Sequence, residues 1–168
     1  MKAAPVCVAV AALVGAAGCA SYDGRGLVPG HSSAAEVEAR MGPPAERLAL
    51  AGGETVWFYP RNPYGLQTFA VRLSPEGVVR EIDQRLTIEN VRRLTAGRST
   101  AKDVREILGP PWRVSRLPRQ QREVWHYRMD NGLQVEHDLF VQFSDDGVVR
   151  KVLLLRDPKY DQGAPGWN

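Results

Sequence analysis

Two periods of hydrophobic and polar positions follow one another along the chain, and the succession occurs twice. In the early part of each copy, apolar side chains recur three or four positions apart, which predicts a short helix with one buried face. These positions are Val37 and Met41 in the first copy, and Val104, Ile107 and Leu108 in the second. In the later part the period is two, which predicts half-buried strands. This pattern is carried by Phe69, Val71 and Leu73, and by Leu139, Val141 and Phe143.

The two copies are also alike residue by residue. Residues 30–44 and 97–111 align without a gap, with seven of fifteen positions identical and three more conservative. Average residue usage would give about one identity. The match continues where Val56-Trp57-Phe58-Tyr59 aligns with Val124-Trp125-His126-Tyr127. The chain is therefore predicted to hold one module twice, in tandem.

Local signals predict where the helices and turns begin and end. Ser33, and Ser99 or Thr100, are candidate N-caps, each followed by an acidic residue in the first turn. Gly42 and Gly109 precede Pro-Pro and are expected to end the helices. Ser-Pro-Glu-Gly at 74–77 and Ser-Asp-Asp-Gly at 144–147 predict hairpin turns whose glycine has a positive φ.

We therefore predict an α+β fold of two tandem modules, each with one or two short helices packed on a three- to four-stranded antiparallel sheet. The first module spans residues 30–85 and the second spans 86–157. Thr87 predicts the start of an additional helix over residues 88–94 in the second module. The first module has Gly24, Gly26 and Pro29 at that place, and we expect this helix to be missing or frayed there. Residues 158–168, rich in Pro and Gly, are predicted to be a loose tail.

The first 29 residues have a different composition. Lys2 precedes an apolar run of about fifteen residues, which is shorter than the roughly 20 needed to span a bilayer. Residues 1–18 are therefore predicted to be an export signal peptide. Ala16-Ala17-Gly18-Cys19 resembles a lipobox, with Ala16 where leucine is usual, so we expect Cys19 to be lipidated and residues 19–29 to form a tether. The alternative is an ordinary secretory signal in which Cys19 is incidental.

Four segments of the second module carry a family resemblance. They are residues 86–97, the helix ending at Gly109-Pro110, the strand 124–127, and Asp-Gly-Val-Val at 146–149. Together they resemble the BamE (SmpA/OmlA) family of outer-membrane lipoproteins, and residues 30–83 resemble it without the first helix. The resemblance implies a helix pair on an antiparallel sheet, tethered to the periplasmic face of the outer membrane within the protein assembly machinery. In enteric lipoproteins, an aspartate directly after the lipidated cysteine retains the protein in the inner membrane. This chain has Ala20 at that position, which agrees with sorting to the outer membrane.

Charge and motifs exclude several classes of function. The chain has 22 basic and 19 acidic residues, a net charge of +3, but the basic residues are dispersed, so we expect no nucleic-acid partner. The net positive charge is compatible with weak electrostatic attraction of the chain to anionic lipid. His126 replaces Phe58 of the first copy and is interpreted as a packing residue. His137 and Asp138 lack further ligands in a metal-site spacing. We expect no catalytic residue, no metal and no cofactor apart from the lipid on Cys19.

Aromatic and arginine side chains are the candidate partner-binding residues. Trp57 and Trp125 are expected to pack in the core with the tyrosines of the same strands. Trp112 stands where the first copy has Ala45 and is predicted to be an exposed anchor, with Trp167 in the tail as another. Arginines follow Trp112 and could meet phosphate head groups or an acidic partner, the alternative being a solvated strand face. They are Arg113, Arg116, Arg119 and Arg122.

These observations predict a non-enzymatic scaffold or binding lipoprotein in outer-membrane protein assembly or envelope maintenance. Its partners would be the membrane, through the lipid, and other envelope proteins. The alternative is an inhibitor-like periplasmic module that docks an enzyme such as a β-lactamase, because the same module recurs in tandem-repeat secreted inhibitors.

Overall fold

The computed structural model describes residues 23–133 and 135–157. The predicted signal peptide, Cys19, and the tail with Trp167 lie outside the described residues. Within the described part of the chain, no helix is long and apolar enough to cross a bilayer.

The described chain forms two modules, each with a four-stranded antiparallel sheet in sequential strand order. The first contains α1 (Ala34–Met41), β1 (Glu46–Ala49), β2 (Thr55–Pro60), β3 (Thr68–Leu73) and β4 (Val79–Gln84). The second contains α2 (Ile88–Arg92), α3 (Ala101–Leu108), β5 (Arg113–Leu117), β6 (Arg122–Asp130), β7 (Glu136–Phe143) and β8 (Val149–Arg156). Short 3-10 turns at Ala51–Gly53 and Pro118–Gln120 precede β2 and β6. The predicted α+β class and tandem arrangement are confirmed.

The equivalent helices α1 and α3 begin and end at the predicted residues. Ser33 and Thr100 are the N-caps, and each forms a capping box with the acidic residue three positions later. Gly42 and Gly109 follow the helices with φ near +81° and extended ψ, a conformation that is essentially restricted to glycine. The equivalent caps explain why both helices have the same length, since the same groups satisfy the free N–H groups in each.

A helix is present before α3, where it ends at Arg92 and not at the predicted Leu94, and the described residues before α1 form no counterpart. Thr87 caps α2, and its side chain accepts a hydrogen bond from the Asn90 amide. Residues 23–32 form turns, with Gly24 and Gly26 at positive φ, and no α-helix. Leu27 is buried in the core of the first module, so it fills part of the space that a helix would occupy.

Each helix packs on one face of its own sheet, and the aromatic residues of the central strand lie in between. Trp57 and Tyr59 are buried with Val37 and Met41 of α1. The second core is built from the equivalent residues of α3 and β6, extended by residues of β7 and β8. The predicted burial of both tryptophans and both tyrosines is therefore confirmed.

The face of each sheet turned away from its helix is called its back face. The back face of the first sheet is covered by the end of α3. A Cβ added at Gly109 would lie 2.9 Å from Cδ1 of Phe58 and 3.0 Å from Cγ2 of Thr68, both fully or almost fully buried. Arg105 of α3 forms an ion pair with Glu46 of β1 beside this contact.

A second contact joins the modules at the end of β2. The side-chain amide of Asn62 donates to the carbonyl of Arg128 at 3.0 Å and accepts from its amide N–H at 2.5 Å. Residue 128 lies beyond the part of β6 that pairs with β5. The Asn62 amide thus satisfies two main-chain groups that the edge strand leaves free, as a strand neighbour would.

Candidate functional site

The back face of the second sheet is the candidate functional site. The strand register places one set of side chains on this face, alternating with the core residues. His126 and Phe140 are half-buried, whereas Arg113 and Leu155 are exposed. The set consists of the odd-numbered residues 113–117 of β5, the even-numbered residues 122–130 of β6 and 136–142 of β7, and the odd-numbered residues 151–155 of β8, and it includes the polar side chains of Arg122, Arg128, Asp138, Gln142 and Lys151. This surface, with the adjoining Trp112, is called the open face.

Three aromatic rings form the centre of the open face. The imidazole of His126 lies 5.0 Å from the ring of Phe140 and 6.3 Å from the ring of Trp112, both in edge-to-face geometry. Such pairs are favourable beyond the area they bury. Trp112 is 39% exposed, as predicted for an anchor, so the stack holds a large apolar side chain at the surface.

His126 is held in place by a hydrogen bond between its Nε2 and Oγ of Ser115, at 2.7 Å. Burial lowers the pKa of His126, the nearby charge of Arg113 lowers it further, and Asp138 opposes both effects. The imidazole is therefore neutral at pH 7. A hydroxyl beside an imidazole is also the first requirement of nucleophilic catalysis, which needs in addition a group that orients the base and an oxyanion site. Among the described residues, His126 contacts the Ser115 hydroxyl and the rings of Trp112 and Phe140.

The structure separates two of the arginines predicted to act together. Arg113 pairs with His126 in the register and lies on the open face. Arg116 pairs with Glu123 on the helix side of the sheet, where it forms an exposed ion pair with Asp145 at 2.9 Å. Alternation along β5 explains the separation, because neighbouring side chains one and three positions apart point to opposite faces. Trp112, Arg113 and Arg122 lie on the back-face side, where Arg122 donates to the side chain of Gln142 at 2.9 Å. Arg119 is exposed in the turn at Pro118–Gln120, and Trp167 is outside the described residues.

The buried tyrosines serve packing and capping. Burial raises the pKa of Tyr59 to about 12, and it raises the pKa of Tyr127 as well. Both stay protonated near neutral pH. Their hydroxyls donate to the carbonyls of Gly42 and Gly109, at 3.3 and 3.0 Å, so each ties the end of a helix to its sheet. Within residues 23–133 and 135–157 there is no cluster of three or more potential metal ligands.

Sequence reasoning missed Phe140 and Ser115. Phe140 is a large apolar residue on the face of β7 that otherwise carries polar side chains. Its position was a signal that this face has an apolar contact as well as solvent. Ser115 had no such signal, because β5 is an edge strand with an exposed and polar pattern and its pairing was not predicted.

The fold and this face define a protein of two tandem helix-on-sheet modules in which one back face is covered and the other is accessible. Residues 84–152 match the family described as outer membrane protein assembly factor BamE domain. This match confirms the resemblance predicted for the second module and covers nearly all of it. Residues 84–152 of the second module are thus similar to this domain.

Two solved structures are similar to the chain at a low level. One is a DUF4309 family protein, YjgB, from Bacillus subtilis subsp. subtilis str. 168, with 22% identity, a TM-score of 0.31, and coverage of 79% of this chain and 84% of that one. The other is a protein from Streptococcus mutans provisionally assigned as a β-lactamase inhibitor, with 15% identity, a TM-score of 0.29, and coverage of 73% and 82%. No curated protein sequence matches the chain significantly.

Proposed function

We propose that this protein is a lipid-anchored, non-enzymatic scaffold of the periplasmic face of the outer membrane, acting in outer-membrane protein assembly. The observation that carries the proposal is the match of residues 84–152 to the BamE domain. The lipobox-like segment ending at Cys19 supports the anchor independently, because it lies outside the matched residues.

The open face supports a role in binding proteins. Its centre combines an exposed tryptophan with a half-buried histidine and phenylalanine, and Arg113 stands at its edge. Aromatic and arginine side chains contribute most of the binding energy at protein interfaces. Arg113 also has the charge needed to meet an acidic partner or an anionic head group.

The anchor is tested by replacing Cys19 with serine and fractionating cells. The wild-type chain should remain with the outer membrane, and Cys19→Ser should move to the soluble periplasmic fraction, because each buried lipid CH₂ contributes about 0.8 kcal/mol to membrane binding. Cys7→Ser is the matched control, since it lies within the predicted signal peptide and should leave the distribution unchanged. Retention of Cys19→Ser in the membrane would contradict lipid anchoring.

The assembly role is tested by crosslinking in intact cells, followed by capture of the tagged chain and identification of bound proteins. Components of the outer-membrane protein assembly machinery should be enriched over those captured with an unrelated outer-membrane lipoprotein. Recovery of one soluble hydrolase without any assembly component would contradict the proposal and favour the inhibitor-like alternative.

A further inference from the structure

Each residue of the contact between the two modules has an equivalent residue in the other module, because the sequence is repeated. The end of α3 docks on the back face of the first sheet, with Gly109 against Phe58. The ion pair between Arg105 and Glu46 flanks the contact. Both sides of this interface have counterparts in the other module. The counterparts are Gly42 for Gly109, His126 for Phe58, Glu38 for Arg105, and Arg113 for Glu46.

The counterpart surfaces are both unoccupied by the described chain. Gly109 is buried under Phe58, whereas a Cβ at Gly42 would meet no atom within 4 Å. Pro43, which follows, is exposed. On the other side, His126 belongs to the open face. Residues 23–133 and 135–157 therefore include a second helix end and a second back face that no other described element covers.

The charges at these positions are exchanged between the modules. The covered interface pairs a base on the helix, Arg105, with an acid on the strand, Glu46. The open surfaces have an acid on the helix, Glu38, and a base on the strand, Arg113. Glu38 is 43% exposed and its partner within the module is the exposed Arg47, so its carboxylate is accessible to a second cation.

The exchange of charge determines which contacts between copies are favourable. If the α1 end of one copy docks on the open face of another, Glu38 meets Arg113. Docking α1 ends on first-sheet faces would place Glu38 against Glu46, and docking α3 ends on open faces would place Arg105 against Arg113. Both of these contacts set like charges together, which costs binding energy. Each also needs a surface that the internal interface already buries.

We propose that the open face binds the α1 end of a second copy of this chain, head to tail. The contact follows the placement of the internal interface, with Gly42-Pro43 on His126 and Phe140, which replace Phe58 and Ala70, and beside Asp138, which replaces Thr68. It is a heterologous contact, in which different surfaces meet, so further copies can add to either end. The inference goes beyond the proposed function and does not depend on it.

The contact between copies should be weaker than the internal one. Asn62 holds both main-chain groups of Arg128 in the internal interface. The residue equivalent to Arg128 in the first module is Pro60, which has no N–H to donate. This part of the interface is not repeated, so we expect reversible association that is favoured by a high local concentration.

A charge-exchange cycle tests the pairing. Sedimentation velocity of the full chain in detergent should show self-association that weakens about tenfold for Glu38→Arg and for Arg113→Glu. The double variant, Glu38→Arg with Arg113→Glu, should recover most of the wild-type association. Arg80→Glu is the control, because residue 80 is exposed on β4 and lies outside both surfaces. Thermal unfolding followed by circular dichroism establishes that each variant is folded.

Disulfide trapping tests the orientation. In a chain with Cys7→Ser and Cys19→Ser, molecules carrying Glu38→Cys are mixed with molecules carrying Arg113→Cys and oxidised. Mixed disulfides should form faster than those within either preparation alone. A strictly monomeric chain, single charge reversals without effect, or equal trapping in unmixed preparations would overturn the proposal. None of these results bears on capture of assembly components, so a failure here is distinguishable from a failure of the proposed function.

Discussion

Replacing Gly109 with alanine should destabilise the protein more than the same replacement at Gly42. The two glycines are equivalent in the repeat and have almost the same backbone conformation, with φ +81° and ψ of −170° and −176°. An alanine in this region costs about 1–3 kcal/mol of strain at either position. The two sites differ in what a new methyl group would touch.

The difference follows from the distances at Gly109. A Cβ there would lie 2.9 Å from Cδ1 of Phe58 and 3.0 Å from Cγ2 of Thr68, well inside ordinary van der Waals contact. Phe58 is fully buried and cannot move toward solvent. Overpacking of this kind costs about 1–3 kcal/mol. The free energy of unfolding should therefore fall by about 1–3 kcal/mol more for Gly109→Ala than for Gly42→Ala.

Urea unfolding followed by tryptophan fluorescence measures both values, at concentrations low enough to keep the chain monomeric. Adding Phe58→Leu removes ring atoms from the contact and should reduce the cost of Gly109→Ala, a coupling that a double-mutant cycle detects. Equal destabilisation by the two glycine replacements, or additive effects in the cycle, would refute the docking of α3 on the first sheet.

Two further predictions concern the module contact and the open face. Asn62→Ala should lower the free energy of unfolding by about 1–3 kcal/mol, because both partly buried main-chain groups of Arg128 lose their partner. Asn131→Ala, which removes a hydrogen bond that stays within one turn, is the control, and equal effects in urea titrations would contradict the contact. The lowered pKa of His126 means that the unfolded chain binds a proton first, so stability should decrease as the pH falls below 6.5. His126→Phe should reduce this decrease between pH 7.5 and 5.5, and an unchanged pH dependence would show that His126 is not responsible.

Local features were predictable wherever a few neighbouring residues determine the structure. The caps Ser33 and Thr100 and the turns closed by Gly77 and Gly147 lie where the sequence pattern placed them. The edge strands β1 and β5 were not located, because their alternating burial involves partly exposed side chains and leaves little hydrophobic contrast. Their existence depends on hydrogen bonds to the central strands β2 and β6.

The candidate site was predictable only in part. The tryptophan at the position of Ala45 was sufficient to predict that Trp112 is exposed, and its role as an anchor stays a prediction. Its grouping with Phe140, and the placement of Arg113 and Arg116 on opposite faces, follow from strand register. Register depends on pairing between residues distant in the chain, and a shift by one residue would exchange the faces.

The sequence by itself determined that the protein is built from one α+β module used twice, because periodicity, caps and turns act over a few residues and repeat in both copies. Only the tertiary structure decided that the two modules are not equivalent. The back face under Phe58 is covered by Gly109, and the described residues do not cover the face under His126 in the same way. The physical reason is that docking depends on the fit and charge of surfaces from different modules, which neither copy specifies alone.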